Sequence, residues 1–156
     1  MNTYQILRRN LKLGISSPSE SYKKIYPKKS FESFYKNLKP IEKGCLRYLE
    51  NNENELTNEN KKQIILDIIE NGLNNGESLK NIIKSNFGTT INDIFNLNFI
   101  SDNEKAQIII NTIMNGLKNE KSLKNTIKEE FKNICIDDIL LNVPLPITWL
   151  NVMQEF

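Results

Sequence analysis

The sequence predicts an all-α protein, arranged as a small basic helical head followed by two tandem 44-residue helical repeats stacked as a bundle with a C-terminal capping helix. Three observations carry that expectation. Apolar residues fall in stripes at helical spacing. Ser, Asn, Pro and Gly stand where helices start and stop. Residues 61–98 align without a gap on residues 105–142, and 19 of the 38 paired positions are identical.

In the head, residues 1–50, punctuation predicts four short helices. The first spans Tyr4 to Leu13 and ends at Gly14. Ser17-Pro18-Ser19-Glu20 then supplies Ser at the N-cap, Pro at the first helical position and Glu at the third, opening a helix that must stop near Tyr26, before Pro27. A third segment, Ser30 to Lys39, begins at a Ser cap and halts before Pro40. Ile41 to Glu50 forms the fourth, with Leu46 and Leu49 inward, and the polar stretch 51–60 is the boundary or linker.

Residues 61–156 form the second region. Each repeat, 61–98 and 105–142, is expected to hold a long Ile-rich helix ending near an Asn-Gly pair, Asn71-Gly72 or Asn115-Gly116, with the glycine in the left-handed position just past the helix end. A shorter helix follows, in which Leu79, Ile82, Ile83 and Phe87 make one stripe while Lys80 and Lys84 face away. Ile91 to Leu97, or Ile136 to Leu141, closes the unit. Ser101 and Glu104 have capping-box spacing and start the second long helix. Neither hairpin covers its own apolar face, so the two are expected to stack. After Pro144 and Pro146, residues 147–156 are expected to cap the bundle with Trp149, Leu150 and Met153.

Composition narrows the function. A chain of 156 residues buries enough surface to fold without metal or disulfides, and its two cysteines, Cys45 and Cys135, suggest no disulfide framework. Arg8 and Arg9 interrupt any leader-like apolar core, and no later apolar run approaches the roughly 20 residues of a membrane span, so a cytoplasmic location without membrane contact is expected. Asn, Ile and Lys supply 64 residues, the signature of an A/T-rich genome. Net charge is segregated: residues 1–47 carry eleven Lys/Arg against three Glu, about +8, and residues 48–156 carry ten against sixteen acids, about −6. That pattern fits a polyanion-binding head on an acidic body.

Catalytic chemistry finds little support. The absence of histidine removes the commonest general base, the Ser/His and Cys/His nucleophile pairs and the usual zinc sets. No phosphate-binding glycine motif occurs, and no cofactor is expected. Cys135, between Ile134 and Ile136, is expected to be a buried inert thiol, and the pairs Glu129-Glu130 and Asp137-Asp138 are expected on solvated faces. The protein is therefore expected not to be an enzyme.

The basic head is the candidate site. Residues 17–38 form helix, turn at Pro27-Lys28-Lys29, and helix. Ser33-Phe34-Tyr35-Lys36-Asn37-Leu38-Lys39-Pro40-Ile41-Glu42 resembles the end of the recognition helix in TetR-type repressors, over some 30 residues including the preceding helix. The chain departs from that family in lacking the small residues that pack the two helices, in Pro27 within the turn, and in its duplicated body. The resemblance implies a recognition helix and no more. Such a helix would present Ser30, Ser33 and Asn37 to base edges, Lys28, Lys29, Lys36 and Lys39 to phosphates, and Tyr35 to backbone or sugar, with Arg8 and Arg9 adding contacts. Phe31, Phe34 and Leu38 equally make an ordinary core stripe. In the repeats the corresponding segments, 89–98 and 133–142, contain no Lys or Arg, which disfavours phosphate contact there. The expected function is a DNA-binding regulator whose body dimerises or binds a protein partner. The alternative is a helical interaction module, such as an inhibitor, immunity factor or adaptor of a mobile element, with a protein target.

Overall fold

The structure is a computed structural model that describes residues 1–52 and 55–144; the expected capping helix, 147–156, and its Trp149 lie outside the described residues. Among the described residues the fold is all-α, with ten helices and no strand. In the head these are α1 (Thr3–Lys12), α2 (Pro18–Ile25), α3 (Phe31–Lys36) and α4 (Pro40–Asn51). The body holds α5 (Asn58–Asn74), α6 (Leu79–Phe87), α7 (Ile91–Phe95), α8 (Asp102–Lys118), α9 (Leu123–Glu130) and α10 (Ile136–Leu140).

Local chemistry sets the starts. Asn2, Ser17, Ser30, Thr57, Ser78, Ser101 and Ser122 each accept a backbone N–H three residues on. Each thereby satisfies a donor that the first helical turn leaves without a partner. Ser101 and Glu104 close the expected reciprocal capping box. The expected linker is shorter than 51–60, because α4 runs through Asn51 and α5 starts at Asn58 under its Thr57 cap. In α4 Leu46 is fully buried, whereas Leu49 is only half-buried.

Two outcomes concern the duplicated segments, the first of them a correction. First, Gly72 and Gly116 do not end their helices. Both are buried inside α5 and α8, which continue to Asn74 and Lys118. Their service is close approach: a Cβ at Gly72 would stand 2.5 Å from Ile82 Cγ1, and one at Gly116 would stand 2.5 Å from Thr126 Oγ1. Left-handed backbone comes four residues later, at Gly76 (φ 81°) and Glu120 (φ 66°). Gly72→Ala and Gly116→Ala are each expected to destabilise by about 1–3 kcal/mol through overpacking, outweighing the helix-propensity gain of about 1 kcal/mol. The midpoint of urea unfolding checks this, and a gain in stability would refute the close-approach account.

Second, the closing helices start at Ile91 and Ile136 as expected, one residue out of step with the gapless alignment. Helix α7 starts 4 residues beyond Phe87 but α10 starts 5 beyond Phe131. The left-handed residues Gly88 (φ 60°) and Asn133 (φ 67°) are likewise 45 apart rather than 44. The inserted residue shifts α10 so that Ile136 and Leu140 are buried, while Cys135 is exposed at the N-cap rather than inside. Asp137 and Asp138 are exposed as expected, but Glu130 is buried.

One apolar cluster runs through the body and into the head. It includes Ile65 and Ile69 of α5, Ile109 and Ile113 of α8, Leu79, Ile82, Ile83 and Phe87 of α6, and also Leu13 just beyond α1. Helices α5 and α8 lie against each other, and α1 packs on α2, α4 and α6. Asn10 of α1 is 1% exposed, and its Nδ2 donates to the Phe87 carbonyl (2.8 Å) and to Ser21 Oγ (3.1 Å). Lys24 of α2 pairs with Asp93 of α7, which also accepts from the Thr89 hydroxyl. Burial pushes the Asp93 carboxyl up, but these two partners outweigh it and hold the group below the ordinary carboxylate range. Head and body thus meet through apolar packing, a buried amide and an ion pair.

Candidate nucleic-acid interface

The surface singled out by charge is built around α3. Pro27 ends α2, because a proline cannot continue the i to i−4 ladder and disfavours helix in the residue before it. Residues 26–30 make the turn, and Ser30 Oγ accepts from Ser33 N (3.3 Å) to start α3. Pro40 then limits α3 from the other side, leaving six residues, about 9 Å of helix. The expected second helix, Ser30 to Lys39, is therefore shorter than the sequence pattern indicates.

Five aromatic rings fasten α3 to α2. Tyr22 stacks on Phe34, with centroids 4.7 Å apart and planes 28° apart. Tyr22 also meets Tyr26 at 5.1 Å and Phe31 at 5.9 Å, and Phe31 meets Tyr35 at 5.8 Å. Tyr22 is buried, but Tyr26, Phe31, Phe34 and Tyr35 are only half-buried, so no residue of α3 is fully inside. Cations cover the rings: Lys29 Nζ lies 4.9 Å from the Tyr26 centroid, and Lys43 Nζ and Arg47 Cζ lie 5.8 and 6.0 Å from the Tyr35 centroid.

Of the residues selected from sequence, Lys28, Lys29, Ser30, Ser33, Tyr35, Lys36, Asn37 and Lys39 gather on and beside α3. Lys28, Lys29, Lys36 and Lys39 are exposed, and among the described residues none of the four is in an ion pair. Lys28 and Lys29 precede the helix and Lys36 and Lys39 follow or end it, so two pairs of cations bracket about 9 Å of helix. Two of the three expected base-reading side chains, Ser30 and Asn37, are engaged locally, and so is Tyr35, expected at backbone or sugar. Ser30 caps the helix, Asn37 Nδ2 donates to the Ser33 carbonyl (3.1 Å), and the Tyr35 hydroxyl accepts from Arg47 Nε (2.9 Å).

Arg8 and Arg9 lie elsewhere, on α1. Arg9 turns toward the body: its Nη1 donates to Asn86 Oδ1 (3.1 Å), its guanidinium lies 5.9 Å from the Phe87 centroid, and burial holds it below its ordinary pKa. Arg8 is exposed beside Tyr4, whose hydroxyl is pushed up in pKa by burial and by Cys45, against the opposing effect of Arg8. Sequence reasoning missed Tyr22, Lys43 and Arg47 as members of the α3 surface. Their signal is aromatic and cationic residues recurring together over 22–47, which periodicity alone assigns to a core stripe.

Between α2 and α3 runs a groove of about 430 Å³. Its recessed side chains are Tyr22, Phe34 and Leu38, and its exposed ones are Lys29, Ser33 and Asn37. Among the described residues there is no group of three or more His, Cys, Asp and Glu placed to hold a metal ion, and no helix long and apolar enough to cross a membrane. Comparison of the chain with protein-family models, curated proteins and solved structures gives no match.

Proposed function

We propose that the chain is a non-enzymatic, DNA-binding regulatory protein whose head contacts phosphates through the cations around α3, and whose duplicated, stacked body is the part that dimerises or receives a protein partner. The observation that supports this reading is the exposure of Lys28, Lys29, Lys36 and Lys39 at both ends of α3, unpaired with the acidic body. Ammonium groups left in water keep their full attraction for phosphates and release counterions on binding. The engagement of Ser30, Asn37 and Tyr35 within the head supports backbone contact ahead of base-edge reading.

The test is binding to a random-sequence duplex across a salt series, with wild type compared with a variant carrying Lys28→Glu, Lys29→Glu, Lys36→Glu and Lys39→Glu. Wild-type affinity is expected to fall steeply with salt. The slope of log affinity against log salt is expected to shrink by about 0.9 for each lysine–phosphate pairing removed, roughly 3–4 if all four lysines touch phosphate. Absence of binding at low salt, to the duplex and to a single strand of the same length alike, would reject the reading. One observation favours a second reading, an acidic protein partner: the half-exposed rings of Phe31, Phe34 and Tyr35 give the basic surface an apolar centre, as protein interfaces have.

A further inference from the structure

We infer that the nucleic acid taken by this head is single-stranded, and that one unpaired base seats in the groove between α2 and α3, stacked on the Phe34 side of the Tyr22–Phe34 pair. The inference rests on the proposed DNA-binding reading and adds the substrate class. Three features point to it. Helix α3 has six residues, too few to present a long recognition face in a major groove while its own aromatic side holds it to α2. The groove is apolar at its recessed residues, Tyr22, Phe34 and Leu38, and polar at its exposed ones, Lys29, Ser33 and Asn37. That is the division a nucleobase needs, with a π-face to stack on and donors or acceptors at its edge.

The cations complete the fit. Lys29 lines the groove itself, Lys28 precedes it in the turn, and Lys36 and Lys39 flank Asn37 and Leu38 at the other end. A backbone running along α3 would meet a cation on each side of the seated base. Glu32 is the one carboxylate on α3, against this surplus of lysines. A duplex offers no unstacked base to such a groove, so its π-surface would go unused on double-stranded DNA.

The experiment measures fluorescence anisotropy of three labelled oligonucleotides of equal length: single-stranded poly-dT, the same strand with abasic sites throughout, and a duplex. Full-length wild type is compared with Phe34→Leu, which keeps an apolar side chain against Tyr22, and with the four-lysine reversal. The dT strand is expected to bind more tightly than the abasic strand by on the order of five- to 100-fold, the range of one stacked base. Phe34→Leu is expected to remove most of that difference while leaving abasic binding unchanged, a split that general unfolding would not produce. The lysine reversal should weaken all three. Equal binding of the dT and abasic strands, or tighter binding of the duplex, would overturn the base-stacking inference and leave phosphate binding standing. Failure of all three to bind would overturn both, and an acidic protein would become the occupant to seek.

Discussion

Phe87→Ala is expected to destabilise the whole chain by about 3–5 kcal/mol and to unfold head and body in one transition. Phe87 is fully buried at the end of α6, in the cluster that extends to Leu13 of the head. Its carbonyl accepts from Asn10, and its ring lies beneath the Arg9 guanidinium. Gly88, the next residue, is approached so closely that a Cβ there would lie 2.6 Å from Ile25 of α2. Truncation therefore opens a void where α1, α2 and α6 meet, beside an Asn10 that is fixed by its hydrogen bonds to Ser21 and to the Phe87 carbonyl. All five tyrosines lie in residues 1–48, which gives the test its probe. Near-UV tyrosine dichroism follows the head, while far-UV dichroism at 222 nm follows every helix. Coincident urea transitions, both moved to lower urea in the variant, are the expected result. A tyrosine transition that separates from the helical one in wild type would show that the head folds independently.

That junction also marks how far the sequence could be read. Helix starts were legible because a cap is local: Ser17, Ser30 and Ser101 each announce a helix with their own side chain and the amide three residues on. The close approach at Gly72 was not legible, because an Asn-Gly pair after an apolar run has the same local signature whether the glycine ends a helix or admits a neighbouring one. Only the position of Ile82 decides. The starts of α7 and α10, at Ile91 and Ile136, were legible, but the exposure of Cys135 at the N-cap beside the buried Ile136 was not, because an apolar run does not say which of its members turns inward. At the candidate interface the lysines were legible from charge segregation. The diversion of Ser30, Asn37 and Tyr35 into internal hydrogen bonds depends on partners that spacing does not name.

Glu130→Ala is expected to cost about 2–4 kcal/mol, although the sequence places Glu130 in an acidic pair of the kind that usually faces water. The side chain is 9% exposed, and its two oxygens accept from the first amides of α6, Leu79 N at 2.5 Å and Lys80 N at 3.4 Å. Ser78 satisfies only the third amide, that of Asn81, and the first turn of α6 has no acidic residue of its own. Removing Glu130 leaves the buried Leu79 amide and the part-buried Lys80 amide without acceptors, at about 1–3 kcal/mol for the buried group left unsatisfied and less for the other. Glu130→Gln keeps one acceptor oxygen and is expected to lose roughly half as much. The control is Glu129→Ala: Glu129 is exposed and, among the described residues, pairs only with Lys121, so its removal should fall within about 0.5 kcal/mol of zero. Equal effects at the two positions, read from urea midpoints, would remove the capping account. The position in the first repeat that aligns with Glu130 is Asn86, which meets not a helix start but the Arg9 guanidinium of the head. The two copies thus share apolar and capping residues and differ at the residue through which each meets its neighbour. Identities such as Gly72 and Gly116 seat the two helices of each segment on each other, and departures such as Asn86 and Glu130 set what each segment meets beyond itself.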